Sequence, residues 1–436
     1  MKKQQKIKTV SFHTLGCKLN QAETNSIRSK FIDNGFTIVP FKATADLTII
    51  NTCTVTNSAD SKSRQAIRTA IKSSPNGRVV AMGCYSQIKP KELGEINGID
   101  MILGNQEKYK IFSLINQLET DTLEAPLIYV SNYDEIEVYE DLPFILSTGR
   151  TRAFLKIQEG CDYFCSYCII PFARGKARSR KLQSTIDEAK RLVDNGYQEL
   201  VLTGINIGTW NDNGFSLIDL LEHLSDIEGV KRIRISSIEP NTVTDDLLHL
   251  ISGRENICNH LHIPLQSGSQ TVLERMGRKY IISDYIDLVS RVNSIIPNVG
   301  LGTDIIVGFP GESKKEFMET NQFIEENPFS YLHVFRYSER TGTKASQMLN
   351  KVSAKEMKKR SVFLHKMGEK KQSFFNDRFI NHTVPVLFET RKGGRITGLT
   401  ENNIRVIVKS SDIKQNTIRF VKLVENIGNE VLGRLI

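Results

Sequence analysis

The chain has 436 residues, 39% hydrophobic and 25% charged, an ordinary composition for a globular protein long enough for two or three domains. No run of about 18 apolar residues could span a bilayer, and the start, MKKQQKIKTVSFHTLGC, passes from lysines into a strand-like segment with no secretory hydrophobic region, so a cytoplasmic protein without a membrane partner is expected. Seven cysteines are too few and too scattered for a disulfide framework and suit a reducing compartment, while a net charge of +9 admits a polyanionic partner.

The first block alternates strand-like runs (8 to 15, 47 to 52, 78 to 83, 99 to 104) with helical stretches at 57 to 73 and 107 to 117, which predicts a small open α/β sheet. Cys17, Cys53 and Cys84 each stand at the C-terminal end of such a strand, where ligands of parallel sheets collect. Spacing alone leaves two readings open: three unrelated core cysteines, or three thiols that the sheet brings together.

The second block opens with RAFLKIQEGC and then sets Cys161, Cys165 and Cys168 in a C-x3-C-x2-C spacing just ahead of PFARGKARSR. A structural zinc site takes four protein ligands, commonly from two C-x2-C pairs, so three thiols fit it poorly. An iron–sulfur cube on the same three would keep one iron open to a small molecule. After this loop, strand and helix alternate to about residue 370, predicting a partial (β/α) barrel of about six strands with its active face at the strand C-termini. Those ends carry Thr203, Gly204 and Asn206, then Ser236, Ser237 and Glu239, then Gln266 and Ser267, then Gly308, Pro310 and Glu312. In GFPGE the glycines and proline are also ordinary turn formers. Cys258 precedes a strand, beside His260 and His262, and is expected to pack rather than to bind metal.

A basic helix around 354 to 378 leads to four short alternating strands, HTVPVLFET, RITGLT, NIRVIVK and NTIRFVKLVEN, which predict a small β-barrel. Residues 371 to 436 hold 11 Lys and Arg against 6 Asp and Glu, +5 of the chain's +9. Such a surface serves solubility, or a phosphate backbone when it is appended to a catalytic domain.

The loop CDYFCSYC resembles the cluster loop of radical S-adenosylmethionine (SAM) enzymes, and TLGCKLNQAETNSI, NTCTVTNSADSKSRQAIR and GCYSQ resemble the N-terminal domain of the methylthiotransferases. The C-terminal strands resemble a TRAM domain, an RNA-binding module. The resemblance implies an α/β chain of three parts: an N-terminal open α/β methylthiotransferase domain (6–119), a partial (β/α)6 radical SAM core (147–372) and a TRAM β-barrel (374–436). It implies one [4Fe-4S] cluster on Cys161, Cys165 and Cys168, where SAM is cleaved, and a second on Cys17, Cys53 and Cys84, which carries the sulfur. Thr203, Gly204, Asn206, Ser236, Glu239, Gln266 and Gly308 are implied contacts of SAM, and Arg174 a partner for a carboxylate. TLGCKLNQAE, SSIEP and HVFRYSERTGTKA resemble the branch that methylthiolates C2 of N6-threonylcarbamoyladenosine at position 37 of tRNA. Asp162 and Arg336 depart from it, standing where the family often has Asn and Pro. Implied partners are that tRNA, a flavodoxin- or ferredoxin-like electron donor and a sulfur donor. Rival readings are the same chemistry on isopentenyl-adenosine tRNA or a ribosomal protein, and a non-catalytic iron–sulfur RNA-binding protein.

Overall fold

A computed structural model describes residues 6–119, 123–136, 139–141, 151–410 and 412–436. The chain divides into two compact units. The first comprises Met1–Leu146, Gln158–Arg180 and Ser338–Ser346; the second comprises Ser147–Ile157, Lys181–Tyr337 and Gln347–Ile436. The loop bearing Cys161, Cys165 and Cys168 is therefore built into the same unit as Cys17, Cys53 and Cys84.

The first unit is an all-parallel sheet of β1 (Thr9–Thr14), β2 (Thr37–Val39), β3 (Leu47–Thr52), β4 (Arg78–Gly83), β5 (Met101–Leu103) and β6 (Leu127–Tyr129), in the order β2-β1-β3-β4-β5-β6. Both central strands, LTIINT and RVVAMG, are buried at every position, as parallel strands covered on two faces must be. Helix α1 (Lys18–Asp33) follows β1 and α2 (Asn57–Ser73) follows β3, the latter capped by the Thr56 side chain accepting from the Ala59 N–H. After β4 comes the short α3 (Cys84–Ile88). The expected helix at 107 to 117 is instead a 3-10 turn (Glu107–Lys110), a single α turn (Ile111–Leu114) and a second 3-10 turn (Ile115–Leu118). Lys108 and Tyr109 both turn inward there, onto Glu23. Because β1 lies between β2 and β3, the winding direction reverses between β1 and β3, and the crevice of such a sheet opens at their carboxyl ends. A short helix, α4 (Ile170–Arg174), follows the second cysteine loop.

In the second unit, β7 (Arg152–Lys156), β8 (Glu199–Thr203) and β9 (Arg232–Ile235) form one parallel sheet, and β10 (His260–His262), β11 (Gly300–Val307) and β12 (Tyr331–Arg336) another. Isolated parallel bridges, Ile233 with Ile257 and Ser237 with His262, join them into the expected six-stranded partial barrel. Along β11, residues 303, 305 and 307 are buried while Asp304 and Ile306 stay accessible on the lumen side.

Helix α5 (Ala354–Asp377) runs into a closed five-stranded barrel of β13 (Thr383–Lys392), β14 (Arg395–Leu399), β15 (Arg405–Lys409), β16 (Thr417–Asn426) and β17 (Val431–Leu435), a small closed barrel of the TRAM kind. The first four match the expected strands; the fifth closes the barrel by pairing parallel to β15 and antiparallel to β16. This barrel is fused to the lower end of the larger one. Arg232 donates to the Leu399 and Pro385 carbonyls, Arg234 to those of Thr400 and Glu401, and Arg152 pairs with Glu389 at 2.5 Å.

Candidate functional site

The three cysteines of the first block converge at the carboxyl ends of the adjacent strands β1, β3 and β4. Cys17 is the N-cap of α1, Cys53 directly follows β3, and Cys84 opens α3. Their thiols interact electrostatically in every pairing. A Cβ on Gly16, which adopts φ +94°, would lie 2.9 Å from Cys53 Sγ, so only glycine lets the two loops approach this closely. Asn20 ties them together by donating to the Leu15 carbonyl (2.8 Å) and the Thr52 carbonyl (3.1 Å). Ser63 fixes the Cys53 backbone by bonding both its N–H and its carbonyl. Burial and then the Cys84 thiol push the Cys53 thiol up to about 12.

Arg174 bears on all three. It is fully buried, with Nη1 2.8 Å from both Glu23 and Glu159 and Nη2 2.6 Å from Asn20 Oδ1. Glu23 is shared with Lys108 at 2.8 Å. Burial opposes the Arg174 charge, but Cys84, Glu23 and Glu159 hold its pKa well above the ordinary guanidinium value. The sequence suggested Arg174 as a partner for a carboxylate; the carboxylates it meets are the chain's own. Its Nε is buried without a hydrogen-bond partner.

Arg174 ends α4, which grows out of the second cysteine loop. There Cys168 N–H donates to the Cys165 carbonyl (2.9 Å), closing a turn, and Cys161 N–H donates to the Gly175 carbonyl (3.1 Å). Cys165 is buried, with Cys161 and Cys168 partly exposed. Gly160 has φ +73°, and a Cβ there would fall 1.8 Å from the Lys176 carbonyl oxygen, so the loop can close only on glycine. Asp162 Oδ1 accepts from the Ala177 N–H at 3.1 Å. Asn105 ties the first thiol group to α4, with Nδ2 3.7 Å from Cys84 Sγ and 2.7 Å from the Ala173 carbonyl. The segment Ser338–Ser346 spans both loops as well: Arg340 donates to the Thr54 carbonyl and pairs with Asp60, each at 2.8 Å, and Ala345 N–H donates to the Ser166 carbonyl at 2.7 Å. Sequence reading missed these cross-ties, since only folding brings the partners together.

In the second unit the polar residues expected around SAM do stand at barrel strand ends. Thr203 closes β8 and is buried; Gly204 follows; Asn206 accepts from the Thr209 N–H and hydroxyl. Ser236 and Ser237 follow β9, and Glu239 is bound by Arg278, with burial outweighing that pairing to raise its carboxyl above the usual range. Gln266 adopts φ +67°, and its Oε1 is buried with no hydrogen-bond partner, a polar atom waiting for a donor. Gly308, φ +76°, gives its N–H to Glu312, which Arg360 holds at 2.7 Å. Ser267 serves a turn, bonding the Ser269 N–H. Arg336 ends β12 and is exposed. Cys258 is buried, its thiol pushed up to about 12 by burial despite Arg234 nearby.

One cluster escaped the sequence reading. His262, Asp304 and His333, from three adjacent strands, meet on the lumen face. The signal was the alternation in HLH and YLH, which puts the histidines on one face of their strands.

Residues 9–104 match the family described as Uncharacterized protein family UPF0004, and residues 155–324 match the Radical SAM superfamily. The threonylcarbamoyladenosine tRNA methylthiotransferase MtaB of Bacillus subtilis (strain 168) is 42% identical over 96% of this chain and 94% of its own length. A tRNA-2-methylthio-N(6)-dimethylallyladenosine synthase of Prosthecochloris aestuarii is 34% identical over 92% of both chains. Among solved structures, the radical SAM methyltransferase TsrM of Kitasatospora setae, with cobalamin and a [4Fe-4S] cluster bound, covers 78% of this chain with a TM-score of 0.58 at 15% identity, a likeness of fold.

Proposed function

Because this chain belongs to the radical SAM tRNA methylthiotransferases, we propose that it places a methylthio group on C2 of N6-threonylcarbamoyladenosine at position 37 of tRNA, using two [4Fe-4S] clusters. The observation that carries the two-cluster reading is the pair of three-thiol groups in one compact unit, with Asn105 bonding from Cys84 to the helix that follows the second group. Cys17, Cys53 and Cys84 would hold one cluster and Cys161, Cys165 and Cys168 the other, each triad leaving one iron without a protein thiolate. Thr203, Gly204, Asn206, Ser236, Glu239, Gln266 and Gly308 would contact SAM, with the unpaired Gln266 Oε1 the strongest support among them. When bound, these groups supply one-electron cleavage of SAM and iron-held sulfur, chemistry suited to a C2–H that is neither acidic nor electrophilic at neutral pH.

The chain's own residues bind, orient and shield. Arg174 and Lys108 offset the charge that Glu23, Glu159 and three thiolates would accumulate. Ser63 and Asn20 set the backbone on either side of Cys53. The functional parts follow the boundaries 6–119, 147–372 and 374–436, with the last engaging tRNA through Arg419, Lys422 and the exposed Phe420. A flavodoxin- or ferredoxin-like protein supplies electrons, and a separate donor supplies sulfur.

The threonylcarbamoyl assignment rests on the relatives of that name, the first at 42% identity. Mass spectrometry of tRNA nucleosides from cells lacking this chain tests it. Loss of the 2-methylthio derivative of N6-threonylcarbamoyladenosine is expected; loss of the isopentenyl-adenosine derivative instead would move the enzyme to the other branch.

A further inference from the structure

We propose that His262, Asp304 and His333 form a binding site for a divalent cation of the zinc or ferrous class on the lumen wall of the larger barrel. The three residues come from β10, β11 and β12, neighbouring parallel strands whose register pairs His262 with Gly302 and Asp304 with His333. Alternation along the strands therefore directs His262, Asp304 and His333 to one face, together with His260 and Tyr331.

The geometry resembles a ligand set more closely than two separate hydrogen bonds. His262 Nε2 lies 2.9 Å and His333 Nδ1 3.3 Å from the same atom, Asp304 Oδ1. One ligand atom from each of the three residues lies within 4.8 Å of the others. Around a tetrahedral zinc with bonds of about 2.0–2.1 Å, neighbouring ligand atoms sit roughly 3.3 Å apart. Two of the three edges are already near that length. The third, between the histidines, closes by rotation of His333, whose side chain is 56% exposed.

The surroundings also fit. A metal-bound imidazole commonly gives its other nitrogen to a second partner that fixes its orientation. His262 Nδ1 has one in the Tyr331 hydroxyl at 3.1 Å, which in turn meets His260 Nε2 at 2.9 Å. Gly302 makes room for this arrangement, since a Cβ there would fall 2.0 Å from Tyr331 Cζ. Two imidazole nitrogens and one carboxylate oxygen are the donors of open zinc sites and of non-haem ferrous sites, which keep at least one coordination position for a further ligand. Here that position would face the lumen, where an oxygen donor of a substrate, carboxylate or hydroxyl, could fill it.

The inference does not depend on the substrate proposed above, and its test needs no turnover. Full-length enzyme with its cysteines occupied by reconstituted clusters is dialysed against Zn2+ and examined by zinc X-ray absorption. One zinc per chain with a nitrogen and oxygen shell carrying imidazole scattering is expected. His333→Gln, at an exposed side chain, and Asp304→Asn should each weaken its binding by more than roughly 100-fold, beyond what loss of an outer partner costs. Iron content and near-ultraviolet circular dichroism should stay at wild-type levels in His333→Gln. No zinc uptake, a shell of sulfur alone, or equal uptake by wild type and His333→Gln would overturn the site and leave a plain His–Asp–His hydrogen-bond network.

Discussion

Replacing Arg174 by methionine removes a cation that touches Glu23, Glu159 and Asn20 together, in a place where its side chain and that of Glu23 are fully buried. Glu23 keeps Lys108 at 2.8 Å, so its charge stays compensated. Glu159 loses the guanidinium at 2.8 Å from one of its oxygens, while Arg178 stands 3.8 Å from the other. Removing one member of a buried ion pair costs about 3–5 kcal/mol, and here two buried carboxylates lose the guanidinium at once. The Lys variant keeps a charge but not the planar fork that serves three acceptors at once, so a smaller loss, about 1–3 kcal/mol, is expected. Native-state hydrogen exchange across α1 and β3, followed by mass spectrometry on anaerobic cluster-free protein, reads these losses as opening free energies. Iron content after reconstitution gives the second readout. The methionine variant should load less iron, because the Arg174 charge acts on Cys84, Cys17 and Cys53. If opening free energies stayed within about 0.5 kcal/mol of wild type, the range of an ordinary surface change, and iron loading were unaltered, Arg174 would not be an electrostatic support of the Cys17, Cys53 and Cys84 group.

Changing Cys17, Cys53 or Cys84 to Ala should abolish methylthio transfer while reductant-driven SAM cleavage persists, whereas Cys161, Cys165 or Cys168 to Ala should abolish both; 5'-deoxyadenosine formed by the second set of variants would contradict the assignment. Cys258→Ala should retain full iron content and resist alkali better than wild type. The folded thiol titrates at about 12 against roughly 8.5 unfolded. The wild-type advantage from burying a neutral thiol is thus present below pH of about 8.5 and fades by about 1.4 kcal/mol per unit as pH rises towards the folded value; denaturation of both proteins between pH 8 and 10 checks the sign. Phe420→Ala combined with Arg419→Gln should weaken tRNA affinity and lower the slope of log K against log salt by about one unit, while SAM cleavage is unchanged. An unaltered slope would place the RNA contact elsewhere.

The six central strands, the open sheet and the cysteines at strand ends were legible because each depends on a short stretch: an apolar run of the right length, then a polar turn. Parallel order also follows from such local signals, once helices separate the strands. The side-chain partnerships were not legible, because they join residues far apart in the chain. Arg174 could be suspected of seeking a carboxylate, but nothing local says that Glu23, on a helix at the other end of the unit's sequence, lies under it. Strand β17 illustrates a different limit. VLGRL is short and carries a glycine in its middle, which reads as a weak strand. In the folded barrel a Cβ on Gly433 would fall 2.3 Å from Val421 Cγ1, so the residue that weakens the local signal is the one that lets the barrel close. The His262, Asp304 and His333 grouping needed strand register, which alternation alone leaves undetermined between neighbouring strands.

The fusion of the small barrel to the large one alters what its removal can mean. From sequence, residues 374–436 look like a detachable basic module whose loss would spare the core. The structure instead gives Arg232 and Arg234, both buried, their carbonyl acceptors at Leu399, Pro385, Thr400 and Glu401. Glu199 would still pair with Arg234 at 2.7 Å after truncation, but Arg232 would lose both of its acceptors at the foot of β9. Gly300, whose Cβ would clash with the Asn402 carbonyl at 2.1 Å, marks how closely the two barrels pack. A truncated chain that lost cluster or aggregated would therefore report the missing floor rather than missing RNA contacts. Substitutions on the exposed face of β16, which leave that floor intact, separate the two roles that this barrel combines.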